Sequence, residues 1–130
     1  MVDFFPGIIE AMRHINKKAN LAIVSSNSEW EIDRYLKRTG IRHIFQAICV
    51  GTDKRSKSEK ILKIMHDLME TKSTTFMVGD CRSDIFQGKK AGVRTIAVTW
   101  GYQSRETLFL EEPEIVVDTV PEFMKIFDDF

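Results

Sequence analysis

The chain has 130 residues, 43% of them apolar, which is the size and composition of one compact domain spanning residues 1–130. Nineteen basic and nineteen acidic side chains cancel, so no global field draws the chain to nucleic acid or to an anionic membrane. Two cysteines, Cys49 and Cys81, with no cleavable leader or long apolar span, argue against a disulfide-stapled or membrane-spanning class and predict a reducing, cytoplasmic setting.

No internal repeat or low-complexity tract is visible; instead, short apolar runs alternate with stretches of helical period. The predicted strands, in chain order, are LAIVSS (21–26), QAICV (46–50), TTFMV (74–78), RTIAVT (94–99) and EIVVD (114–118). After the first run, Ser28 and Glu31 have the spacing of a capping box, and Ser56 with Glu59 repeats it after the second. In the helix that follows Ser56, Ile61, Met65, Leu68 and Met69 fall on one face. Near-continuous apolar strands separated by amphipathic helices predict an α/β fold, a Rossmann-like doubly wound parallel sheet with right-handed crossovers.

Ligands of such sheets bind outside the carboxyl ends of the strands. Ser25, Ser26 and Asn27 follow the first run, residues 54–57 the second, and Asp80 with Asp84 the third. Like charges four positions apart cost roughly 0.2 to 0.5 kcal/mol on a helix unless something positive lies between them. A Mg2+ ion, held by one or two carboxylates, would reverse that cost. The competing reading is that Asp80 or Ser83 caps the next helix and Asp84 favours its positive end.

Lys57 falls one residue inside a capped helix, where the dipole disfavours a cation by roughly 0.3 to 1 kcal/mol, and a bound anion would offset this. Lys54, Arg55, Lys57, Lys60 and Lys63 form a basic cluster, for which a solvated charged face is the commoner explanation. Ser25 and Ser26, before the helix opening at Ser28, are raw material for holding a phosphate, or simply a polar turn. His14, His43 and His66 have no partners at zinc-ligand spacing. Cys81 reads as a small packed residue rather than a nucleophile, and Phe4, Phe5, Trp30, Trp100 and Tyr102 as core or rim. Neither G-x-G-x-x-G nor a P-loop lysine motif occurs.

Taken together, LAIVSSN, the lysine opening SEKILKIM, and FMVGDCRSDIFQGKKAGVRTIAVTWGYQSRETL resemble the haloacid dehalogenase-like hydrolases, in particular their phosphoglycolate phosphatase-like branch. PGIIEAMRHI is similar to the segment that re-enters the core after that branch's helical cap. The resemblance implies a three-layer α/β/α core and a Mg2+-dependent phosphatase of small phosphorylated metabolites. Ser25 would then hydrogen-bond the transferring phosphoryl group, with Ser26 and Asn27 in the same loop. Lys57 would neutralise charge on the phosphoryl group and the nucleophile, while Asp80 and Asp84 would hold Mg2+.

The family's nucleophile is the first aspartate of a D-x-D motif, and the chain contains no D-x-D. Asp3 does not replace it, because only two residues precede it and FFPG follows. The expectation is a core lacking its first strand and its cap, inactive alone because the nucleophile lies outside the chain. The family places the missing strand between the first and third runs, which would then either pair directly or face a gap, with self-association through strand edges as the hazard. The alternative is a non-catalytic module that binds phosphate or metal for regulation or assembly. A receiver or flavodoxin-like domain is a weaker third reading, since no aspartate ends either of the first two runs.

Overall fold

A computed structural model describes residues 7–51 and 53–128; Asp3, Phe4 and Phe5 lie outside them. The described residues form two compact units, one of residues 7–51, 53–54 and 124–128 and the other of residues 55–123.

The first unit contains α1 (Ile8–Asn16), β1 (Leu21–Val24), α2 (Glu29–Thr39) and β2 (Phe45–Cys49). β1 and β2 run parallel, with Ala22 opposite Ala47 and Val24 opposite Cys49. Leu36, Ile41 and Ile44 form the buried centre, against which Ile9, Met12, Ile23 and Ile48 pack. This is the hydrophobic face that the alternation of apolar runs and amphipathic helices requires. α2 starts at Ser28, whose Oγ accepts from Glu31 N at 3.3 Å. The return bond of the expected capping box is absent; Ser28 Oγ instead donates to Glu31 Oε1 at 3.4 Å. Trp30 is not core, being 66% exposed beneath the Arg34 guanidinium.

The second unit contains α3 (Lys57–Asp67), β3 (Phe76–Gly79), α4 (Arg82–Ala91), β4 (Arg94–Val98), α5 (Arg105–Phe109) and β5 (Ile115–Val117), and α6 (Val120–Lys125) crosses the boundary. Its strands are parallel in the order β3-β4-β5. Ile85, Ala97 and Leu108 are fully buried and Val116 packs on them, so α4 and α5 both cover β4. Thr95, buried in β4, offers its hydroxyl oxygen to the Glu114 amide at 3.0 Å and so leaves no polar atom unsatisfied.

The α/β class and the parallel strands agree with the expectation. The strands form one sheet in each unit, β1-β2 in the first and β3-β4-β5 in the second. No helix among the described residues is long and apolar enough to cross a membrane.

Two local expectations are corrected. Met69 lies past the end of α3 with φ 58° and is 90% exposed, because the helix stops at Asp67; Ile64 takes the inward position beside Ile61 and Met65. The third strand begins at Phe76 rather than residue 74, because Lys72–Thr74 form a 3-10 turn closed by hydroxyl bonds from Thr74 and Thr75 to the Thr71 carbonyl.

The capping box at α3 is complete: Glu59 N donates to Ser56 Oγ at 3.2 Å and Ser56 N donates to Glu59 Oε1 at 3.0 Å. Ser56→Ala is expected to lower stability by about 1 kcal/mol in urea unfolding. The Ser56 amide, then its hydroxyl, hold the Glu59 carboxyl below its ordinary value of 4.5. A depressed carboxylate contributes stability that is fully present above the unfolded value and is lost as pH falls through the folded one. The stability difference between the native chain and Glu59→Gln should therefore be constant above about pH 5.5 and shrink below pH 4.5; a difference that grows on acidification would contradict the box.

Candidate active site

The loop after β1 belongs to the first unit. Ser25 N donates to the Cys49 carbonyl at 2.9 Å, continuing the β1–β2 ladder by one residue. Asn27 N then donates to Ser25 Oγ at 3.0 Å, and Gly51 N donates to Asn27 O at 2.7 Å. The turn is thus pinned to the end of β2, and Ser25 and Asn27 are half-buried while Ser26 is exposed.

The second unit brings Lys57, Asp80 and Asp84 together. Lys57 is the first residue of α3, Asp80 immediately follows β3, and Asp84 sits in the first turn of α4. Lys57 Nζ donates to Asp84 Oδ1 at 2.7 Å. Asp84 is only 8% exposed, so this ammonium compensates a carboxylate that would otherwise be costly to bury. The anion that offsets the helix dipole at Lys57 is therefore a side chain of the same unit. Ser58 N also donates to Gln87 Oε1 at 3.1 Å, giving α3 a second hold on α4.

The backbone is shaped for these carboxylates. A Cβ added at Gly79 would stand 2.7 Å from Asp84 Oδ2 and closer still to Asp84 Cβ, and one added at Gly101 would stand 2.7 Å from Asp80 Cγ. Neither position has room for a side chain. Asp80 Oδ2 accepts from the Tyr102 amide at 3.0 Å, and its Oδ1 accepts from the Cys81 thiol at 3.4 Å. The capping alternative fails for Asp80 and Ser83: the N-cap of α4 is Cys81, with no side-chain cap from it, although Asp84 does occupy the positive end.

One oxygen or sulfur from each of Asp80, Cys81 and Asp84 falls within 4.8 Å of the others. Burial, followed by the hydrogen bond to Asp80 and the charges of Asp80 and Asp84, pushes the Cys81 thiol up to about 11. The raised thiol and its bond to Asp80 favour a packed neighbour over a nucleophile. Asp80 and Asp84 offer hard carboxylate oxygens, a donor type that suits Mg2+.

The basic cluster is not one solvated face. Lys60 is 3% exposed, Lys57 is paired inward, and Lys63 pairs with Asp67 at 2.6 Å. Tyr102, expected at core or rim, is 81% exposed, whereas Trp100 packs edge-on to Phe123 with centroids 6.2 Å apart. Sequence reasoning missed Gln87, Gly101 and Gln103 as parts of this corner. They lie far along the chain from what they touch, and no spacing marks them.

The family model for haloacid dehalogenase-like hydrolases matches residues 1–98. The chain belongs to that family, in its phosphoglycolate phosphatase-like branch. It is 26% identical over 125 residues to the phosphoglycolate phosphatase of Synechococcus elongatus, covering 95% of this chain and 59% of that protein. To pyrophosphatase PpaX of Oceanobacillus iheyensis it is 27% identical over 132 residues, covering 98% of this chain and 62% of that one. A haloacid dehalogenase-like family hydrolase of Streptococcus pneumoniae superposes with a TM-score of 0.87 at 20% identity, covering 95% of this chain and 60% of that one, and this likeness concerns the fold. The chain spans about six-tenths of the length of these relatives.

Replacing Lys57 by Met leaves Asp84 buried without its cation. Because the Lys57 side chain is 25% exposed, the expected loss is about 1 to 3 kcal/mol in urea unfolding, less than for a fully buried pair. Asp84→Asn added to Lys57→Met should recover most of it; a double variant as unstable as the single one would show that the charge pair is not the cause. Alkylation by iodoacetamide at pH 8 should leave Cys81 largely unmodified in the folded chain and modify it readily in urea, read by mass spectrometry.

Proposed function

We propose that this chain is the core portion of a Mg2+-dependent phosphatase-type hydrolase acting on small phosphorylated metabolites through an aspartyl-phosphate, with the nucleophilic aspartate supplied from outside the chain. The observation that carries this reading is the Lys57–Asp84 contact at 2.7 Å beside Asp80 at the end of β3. A cation beside two metal-type carboxylates is a combination that phosphoryl transfer uses, and this supports the reading. Asp80 and Asp84 hold the metal, which supplies charge neutralisation at the phosphoryl oxygens. Lys57 binds a phosphoryl oxygen; for Ser25, Ser26 and Asn27, in the turn after β1 of the first unit, phosphoryl binding is the role that the family resemblance implies. The phosphoglycolate phosphatase and pyrophosphatase among the relatives support a small phosphorylated substrate.

The absence of D-x-D favours one second reading, a non-catalytic module that binds metal or phosphate at the same residues. The two are separated by complementation. Mixing the chain with a second polypeptide that carries a D-x-D strand and a cap should yield Mg2+-dependent phosphate release, lost in Asp80→Asn. A folded, stoichiometric complex with no turnover would sink the phosphatase reading. A Mg2+-dependent rise in melting temperature of the chain alone, abolished by Asp80→Asn, would then leave the binding module standing.

A further inference from the structure

We propose that Gln103 is a positioning residue for the Asp80–Asp84 carboxylate pair, an inference that rests on the metal-site reading above. α2, α3 and α5 each begin at a serine whose hydroxyl accepts a first-turn amide, but Cys81 gives α4 no such cap. The orphan donor at this helix start, Arg82 N, goes instead to Gln103 Oε1 at 2.6 Å, from a residue 21 positions further on. The Gln103 backbone N donates to the Asp80 carbonyl at 3.1 Å, and the preceding amide, Tyr102 N, donates to Asp80 Oδ2.

Gln103 therefore grips both ends of the turn. Its amide side chain fixes the first residue of the helix that carries Asp84, and its backbone holds the loop whose Tyr102 N–H orients Asp80. Gly101, just before, lets that loop lie against Asp80. Arg82 does not compete for the carboxylates, because its guanidinium Nε and NH2 donate to Glu111 Oε1 at 3.1 and 2.8 Å. Partners of this kind, one step removed from a ligand, set ligand orientation and hence affinity.

The test compares Gln103→Leu, which deletes the acceptor, with Gln103→Glu, which keeps an acceptor oxygen at the same reach. Two quantities are read on the whole chain: amide hydrogen exchange without metal, and Mg2+ affinity by titration calorimetry. Gln103→Leu should speed exchange at Arg82 and Tyr102 but not at Ile96 in β4, and should weaken Mg2+ binding by about tenfold. Gln103→Glu should restore both. Unchanged exchange at Tyr102, an equal acceleration at Ile96, or Mg2+ affinity in Gln103→Leu equal to that of the native chain would each overturn the proposal. If the native chain binds no Mg2+, the metal-site reading is what fails. The exchange pattern then decides alone: a rise confined to Arg82 and Tyr102 supports the tether, and no rise overturns it. Should Gln103→Leu not fold, Gln103→Asn, which withdraws the carbonyl by one methylene, carries the same comparison.

Discussion

A carboxylate withdrawn from water at the head of a helix needs a cation, and in the second unit that cation is Lys57. Each partner is badly placed when considered alone. Lys57 opposes the positive end of α3, and Asp84 is buried with Asp80 close by. Paired, the two placements support each other, and the contact fastens the start of α3 to the start of α4. The Ser58–Gln87 bond repeats that fastening one residue on. The geometry of the corner follows from this pairing rather than from hydrophobic packing alone.

The strand beneath is shaped to allow it. Asp84 can approach β3 only because residue 79 has no side chain, and Asp80 can face the 101–103 loop only because residue 101 has none. Asp80 is therefore held by backbone shape and an amide, and Asp84 by backbone shape and the Lys57 ammonium, all in place before a ligand arrives. Such preorganisation is where electrostatic catalysis draws its strength, since dipoles already aimed need no reorganisation during reaction.

Much of this was legible in the sequence, though unevenly. The α/β class followed from alternating apolar runs, and the start of α3 from Ser56 and Glu59, because local chemistry decides both. The ends of elements were harder: Met69 continued the helical spacing, yet the chain had already turned to a positive φ. Asp80, Asp84 and Lys57 could be named from type and position after a strand. Their mutual contact could not, because an ion pair spanning 27 residues is set by the crossover and not by local spacing. Gln103 left no trace at all, since a glutamine that caps a distant helix looks like any other loop glutamine.

Charge also orders the two functional readings. Formally, Asp80 and Asp84 carry two negative charges against the one positive charge of Lys57, and Arg82 is drawn off by Glu111. Cys81 adds no thiolate. The corner is left with one excess negative charge, which attracts a cation and repels a phosphate. An anion gains at this corner only once a divalent ion has reversed the local sign, so phosphate binding by itself is the weaker expectation and metal binding the stronger. A module built only to hold phosphate would need fewer carboxylates here, whereas a site that brings a metal and a phosphoryl group together needs both.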